Sequence, residues 1–191
     1  MKAKLLRCGV YALLLSLASC KSCKKEVNPD PLPPETQTGA NTFGALIDGE
    51  PWIPNGGGGF SQIPPISGGF YLDNKTIFLM TAMKDGRRLE IYVKNANSVG
   101  AYLLNSSTYT IPDPIGSSPE SYGLYRVRNQ TGIYSDYMTT SQYTGKVNFT
   151  VLDSTNKLLA GTFEFDAVDK KTGQVIKITN GRFDIDQKTL K

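Results

Sequence analysis

Cys20 and Cys23 stand in a C-x-x-C spacing, the arrangement of a dithiol redox centre or of half a zinc site. The rest of the chain completes neither. Its 191 residues contain no histidine and one further cysteine, Cys8, so zinc would find too few thiolates and no imidazole. The lack of histidine also removes the commonest general base and every Ser–His or Cys–His nucleophile. Catalysis would have to rest on carboxylates. Asp113, Glu120, Asp136 and Glu164 are eligible by type for a glycosidase-type pair, yet their spacing brings no two of them together. The chain reads as a non-enzyme with no cofactor and no metal.

Three other groups of residues invite a chemical reading. Gly56 to Gly59 with Gly68 and Gly69 suggest a phosphate-cradling loop, but no Lys-Ser/Thr and no helix follow, as a P-loop requires. Asp169 to Gly173 resembles a calcium loop lacking oxygens at its third and fifth positions, and Asp184 and Asp186 could share a cation on one strand face. Solvated edge charges are the expectation for both sets. Tyr122, Tyr125, Tyr134, Tyr137 and Tyr143 lie among Ser, Thr, Gly and Asn. Amphipathic rings of this kind suit sugars and protein partners. With Trp52 they form the expected ligand or partner surface, although tyrosine is also an ordinary strand residue.

The formal net charge is +4 from 21 basic and 17 acidic residues. Setting aside Lys2, Lys4, Arg7, Lys21, Lys24, Lys25 and Glu26 leaves 15 basic against 16 acidic residues. A nucleic-acid binder needs a basic face, and this composition supplies none.

Those N-terminal charges belong to an address. Lys2, Lys4 and Arg7 precede an apolar run, Val10 to Leu17, too short to span a bilayer. Leu17-Ala18-Ser19-Cys20 then resembles the lipobox of bacterial lipoproteins. The resemblance implies that residues 1–19 are a signal peptide and that Cys20 becomes the diacylated, N-acylated first residue. A thioether at Cys20 cannot pair with Cys23, which is left as a tether thiol or an intermolecular disulfide partner. By lipoprotein sorting, Lys21 after the cysteine implies outer-membrane delivery, with the periplasmic face or the cell surface undecided. Residues 20–41 carry several prolines and read as a tether with polyproline character.

From 42 to 191 the chain alternates with period two between short turn signals. Strands are expected at Thr42 to Ile47, Phe70 to Asp73, Lys75 to Lys84 (apolar on both faces, hence central), Arg87 to Asn95, 100 to 111, 121 to 128, Lys146 to Asp153, Leu159 to Val168 and Gln174 to Asp186. Asp48-Gly49 and Asp85-Gly86 are turns, and residues 54 to 69 form a long loop. In the last strand the apolar parity changes between Ile176/Ile178 and Phe183/Ile185, at Asn180-Gly181. A bulge there restores both pairs to the core; a two-residue hairpin is the rival, and the bulge is favoured. The expected fold is all-β, a single antiparallel meander of roughly eight to ten strands forming a β-sandwich or flattened barrel.

Two blocks carry a family resemblance: Phe43 to Gly49 with Trp52, and Gly145 to Phe149 followed by Gly161-Thr162-Phe163-Glu164-Phe165 and Ile178-Thr179-Asn180-Gly181-Arg182-Phe183. They resemble an uncharacterised family of bacterial lipoprotein domains in which a G-x-F-x-F strand precedes an I-T-x-G-x-F strand. The resemblance implies an all-β envelope domain and transfers no catalytic residue. The functional expectation is a membrane-anchored, non-enzymatic binder of a glycan, small ligand or envelope protein. The alternatives are a structural subunit of an envelope assembly and, further off, a carboxylate-dependent hydrolase.

Overall fold

The computed structural model describes residues 31–56, 63–71, 74–107, 120–128 and 132–191. Residues 1–19, expected to be a signal peptide, and Cys20, Cys23, Gly57 to Gly59 and Asp113 lie outside the described residues. Period-two sequence becomes β1 (Thr42–Ile47), β2 (Glu50–Trp52), β3 (Ile66–Phe70), β4 (Ile77–Ala82), β5 (Arg88–Val93), β6 (Gly100–Leu104), β7 (Tyr122–Arg128), β8 (Tyr134–Met138), β9 (Gly145–Asp153), β10 (Leu158–Asp169) and β11 (Val175–Asp186). No helix forms among the described residues.

Every pairing is antiparallel, and the sheet runs β2-β1-β11-β10-β8-β7-β5-β4-β3. Strand β10 is long enough to divide its outer edge: residues 158–165 pair with β9, while Val168 and Asp169 pair with β8. Strand β6 extends the sheet beyond β9. The sheet curls into a half-barrel whose inner face is the core. Phe43, Ala45, Leu79, Leu89, Ile91, Val147, Phe149, Phe163, Phe165, Ile178 and Phe183 are all buried in it. On the opposite face of β5, β7 and β8 a smaller cluster forms, with Tyr92 stacked on Tyr122 at 5.4 Å beside Leu124 and Met138.

The parity change resolves as the bulge. Phe163 faces Gly181 and Phe165 faces Ile178, so Thr179 and Asn180 stand opposite Glu164 alone. Asn180 takes the left-handed conformation (φ 52°), which asparagine tolerates better than most residues. Ile176, Ile178, Phe183 and Ile185 thereby all reach the core.

Several expectations need correction. Residues 66–69, expected within a long loop, join Phe70 to form β3; Gly68 and Gly69 hold φ of 104° and 134°, a region where side chains are strained. A Cβ on Gly68 would meet the Phe78 carbonyl oxygen at 2.0 Å, so glycine is what permits β3 to pair with β4. Strand β8 falls between the strands expected at 121 to 128 and Lys146 to Asp153, where no strand is expected. Strand β4 is second from the end of the sheet path, not central. With these additions the described residues form eleven strands.

The proline-rich segment is fastened from Leu32 onward. Leu32 and Pro33 pack over Gly44, where a Cβ would meet Pro33 Cδ at 2.6 Å. Asp184, expected as a solvated edge charge, is 2% exposed. Its carboxylate accepts from Thr36 Oγ1 (2.6 Å), from the Thr38, Gly39 and Ala40 amides (2.9, 2.7 and 3.2 Å) and from Thr38 Oγ1 (3.3 Å). Burial alone would raise its pKa, but these donors outweigh it and hold the carboxyl below its ordinary range. Residues 36–40 are thus a strap locked to β11.

The free edge of β3 is met by a side chain. Gln187 Oε1 accepts from the Phe70 amide at 2.9 Å, and Gln187 Nε2 donates to the Phe70 carbonyl at 3.1 Å. One amide side chain does for β3 what a neighbouring strand would do.

Candidate functional site

The turns at Asp48-Gly49, Asp85-Gly86, after β7 and between β10 and β11 share one end of the half-barrel, because β1, β4, β7 and β10 all run toward it. At that end lies a cleft of about 250 Å³ lined by Ile47, Asp48, Glu50, Pro51, Trp52, Arg87, Tyr125, Val127, Tyr137 and Ile176. Three of the six expected surface aromatics meet here from β2, β7 and β8. Trp52 lies edge-on to Tyr125 at 5.4 Å, and Tyr125 stands 6.3 Å from Tyr137.

Each ring is fixed by a polar handle. The Trp52 Nε1–H donates to Thr81 Oγ1 at 3.3 Å, and that hydroxyl donates to the Leu89 carbonyl. The Tyr137 hydroxyl donates to Gln174 Oε1 at 3.0 Å. Arg87 ties the group together: its guanidinium lies 5.3 Å from the Trp52 ring, pairs with Asp85 at 2.8 Å and donates to the Tyr125 hydroxyl at 3.5 Å. Burial pushes the Tyr125 phenol above its ordinary pKa, opposed in part by Arg87. Tyr137 shifts the same way, by burial and by the nearby Asp169. Both therefore stay neutral donor–acceptors at neutral pH.

The expected surface is thus corrected in kind. Trp52, Tyr122, Tyr125 and Tyr137 are all buried, and Trp52, Tyr125 and Tyr137 present edges and hydroxyls to a cleft and not flat faces to solvent. Tyr122 is on the opposite face, stacked on Tyr92. Tyr134 is 43% exposed and sits outside the cleft, and Tyr143 closes a turn with Thr140. Sequence reasoning missed Arg87, Asp48 and Glu50 as lining residues. The turn dipeptides beside them were the available signal.

The remaining candidates separate. Asp136 pairs with Arg126 (2.6 Å), Glu120 with Lys94 (3.0 Å) and Glu164 with Lys146 (3.0 Å), each on a different part of the sheet. Asp169 is buried, not solvated, and its side chain accepts from the Lys171 amide at 2.8 Å. Among the described residues no group of three or more cysteines or acids could hold a metal.

Residues 69–184, 116 of the chain's 191, match the family described as "Domain of unknown function (DUF6252)". The G-x-F-x-F and I-T-x-G-x-F strands lie inside the matched span, and the block from Phe43 to Trp52 lies before it. No curated protein and no solved structure matches the chain.

Proposed function

This chain belongs to the DUF6252 family, and we propose that it is a lipid-anchored envelope protein whose β-domain binds, without catalysis, one ring-sized polar ligand such as the terminal sugar of a glycan. The observation that carries the binding reading is the convergence of Trp52, Tyr125, Tyr137 and Arg87 on one cleft from four separate strands or turns. At about 250 Å³ the cleft lies below the range of drug-sized sites, which suits a single ring. Tyrosine hydroxyls, a guanidinium and the Asp48 and Glu50 carboxylates offer a sugar hydroxyl both donors and acceptors. The anchor rests on Leu17-Ala18-Ser19-Cys20 behind an apolar run.

Glycan-array screening of the intact protein tests the site. A binder should emerge, and Tyr125→Phe with Tyr137→Phe should weaken it about tenfold or more through lost hydrogen bonds. No binder, or undiminished binding by the double variant, defeats the reading. Labelled palmitate incorporation that survives Cys20→Ala defeats the anchor.

The structural-subunit reading has its own support. Strand β6 pairs with β9 and carries Leu103, 57% exposed, beside Val99, 58% exposed. Co-purification of a stoichiometric partner lost on Leu103→Lys would favour it over the ligand reading.

A further inference from the structure

A second feature at the hairpin-turn end is built from charges that ordinary sheet pairing would avoid. Arg88 on β5 stands directly opposite Arg126 on β7, a like-charge cross-strand pair that disfavours the sheet. Arg128 lies two residues further along the same face of β7. Asp136 answers only one of the three: it takes Arg126 in a two-pronged contact at 2.6 and 2.7 Å. Arg88 and Arg128 form no ion pair at contact distance among the described residues, although the buried Glu90 carboxyl, next along the same face of β5, feels the charges of both Arg88 and Arg126. Arg128 instead reaches across both hairpins, within 3.4 Å of the position a Cβ on Gly86 would take and 3.6 Å of one on Gly132. Lys84, in the same turn as Gly86, is exposed.

Apolar groups stand among these cations. Ile133 is 61% exposed and Tyr134 43% exposed at the start of β8. The Tyr134 ring has Arg126 at 5.3 Å and Arg128 at 5.9 Å. A large aliphatic residue, an amphipathic ring and arginines whose stems lie along apolar surface are the side chains that settle at a bilayer interface. Outside Lys84, Arg88, Arg126, Arg128 and Asp136, the chain from residue 27 holds 11 basic against 15 acidic residues. Asp48, Glu50 and Asp85 lie at the same end, the first two lining the cleft and Asp85 paired with Arg87.

The strap adds a direction. Leu32 and Pro33 lie over Gly44, while Gly39 lies over Asp186. Since β1 runs from Thr42 opposite Asp184 to Ile47 opposite Ile178, the upstream end of the strap is its end nearer the hairpin turns.

We propose that the hairpin-turn end, through Lys84, Arg88, Arg128, Ile133 and Tyr134, rests on an anionic bilayer surface and holds the aromatic cleft toward the membrane. This deepens the anchored-domain reading and rests on it. The patch lies on the outer face of the sheet and outside the cleft, so it suits a plane of headgroups better than a glycan chain needing a groove.

The test uses the chain purified from membranes with Cys23→Ser and Ile133→Cys, the new thiol carrying a fluorophore. It is reconstituted in phosphatidylcholine vesicles with or without phosphatidylglycerol, and headgroup spin-labelled lipid is the quencher. If the anchor reading fails, the chain does not come down with membranes; the labelled chain is then added to the same vesicles and compared in the same way. Quenching is expected with phosphatidylglycerol and should fall at high salt. In Arg88→Gln/Arg128→Gln the bilayer-contact equilibrium should drop about thirtyfold, from about fivefold per charge. A fluorophore at Thr155→Cys, in the turn between β9 and β10 at the other end, should stay unquenched. Absent quenching at position 133, equal quenching at 155, or quenching indifferent to the arginines and to salt each overturns the proposal. So does a double variant that loses retention on an acidic polysaccharide while its quenching is unchanged.

Discussion

Gly181 lies directly beneath the ring of Phe163: the two residues are cross-strand partners, and a Cβ on Gly181 would meet the ring carbons at 2.5 to 2.6 Å. The neighbouring pair is the same arrangement reversed, with Gly161 opposite Phe183 and a Cβ there 3.0 Å from its ring. The G-x-F-x-F and I-T-x-G-x-F strands are thus two halves of one interlock, each glycine making room for the other strand's phenylalanine. Gly181→Ala should cost about 1–3 kcal/mol by overpacking. That lowers the midpoint of thermal unfolding by about 3–10 °C for a domain of this size. Adding Phe163→Leu should recover part of the loss, and a double-mutant cycle showing no coupling would refute the interlock.

The strap should be sensitive to acid through Asp184. Its carboxyl is held below the ordinary range in the folded chain, so the unfolded chain binds the proton more readily. The stabilisation is complete above about pH 4, near the unfolded value. It is lost as pH falls through the lowered folded value. Asp184→Ala should cost roughly 2–4 kcal/mol at neutral pH, since several buried donors lose a charged acceptor. Hydrogen exchange of the Thr38, Gly39 and Ala40 amides should accelerate in this variant. A variant with unchanged exchange, or with the parent's stability loss below pH 4, would show that the carboxylate does not lock the strap.

Legibility in the sequence followed the range of the forces involved. Strands β9, β10 and β11 were readable because one face is buried and the other wet, which stamps strict alternation on Val147, Phe149, Phe163, Phe165 and Ala167. The bulge was readable too, since a parity change between Ile178 and Phe183 has few structural solutions. Strand β3 was not, because Gly68 and Gly69 pair only through the lack of a side chain, and glycine otherwise argues against a strand. Strand β8 hid in Tyr134 to Met138, which lacks β-branched residues. The strap hid for a different reason: Thr36 and Asp184 lie 148 residues apart, and no local pattern reports such a bond. The cleft was half-legible. Trp52, Tyr125 and Tyr137 stood out by type, whereas Arg87 reads as an ordinary strand residue until the fold sets it over Trp52.

Arg87 should matter to ligand affinity more than to folding. Its side chain is 37% exposed and its partner Asp85 is 52% exposed, so the ion pair itself contributes little. Arg87→Gln should leave unfolding within about 1 kcal/mol of the parent yet weaken ligand binding about tenfold, the value of one charge-assisted hydrogen bond. Calorimetric titration and thermal melts on the same preparation separate the two effects. Ultraviolet titration of the parent should also show tyrosines ionising above the ordinary phenol range, where burial places Tyr125 and Tyr137. A late-ionising class unaffected by Tyr125→Phe with Tyr137→Phe would place those phenols elsewhere.

Closure of the half-barrel beside β3 should depend on the amide chemistry of one side chain. Gln187 both accepts from and donates to the Phe70 backbone, and Gly69 must lack a side chain for it to fit, since a Cβ there would meet Gln187 Cδ at 2.6 Å. In Gln187→Glu the acceptor remains but the donor becomes an oxygen facing the Phe70 carbonyl. The folded state then disfavours the charged carboxylate, so the introduced acid should have a raised pKa in the folded chain. Its stability deficit should be small below about pH 4, where the protonated acid can still donate. It should grow as pH rises through the raised folded value, reaching about 1–3 kcal/mol at neutral pH. Gln187→Ala removes both partners at once and should cost a similar amount at every pH. Denaturant melts of the parent and both variants at pH 4 and pH 7 decide the matter. A Gln187→Glu deficit independent of pH would mean that the Phe70 edge is not closed by this amide.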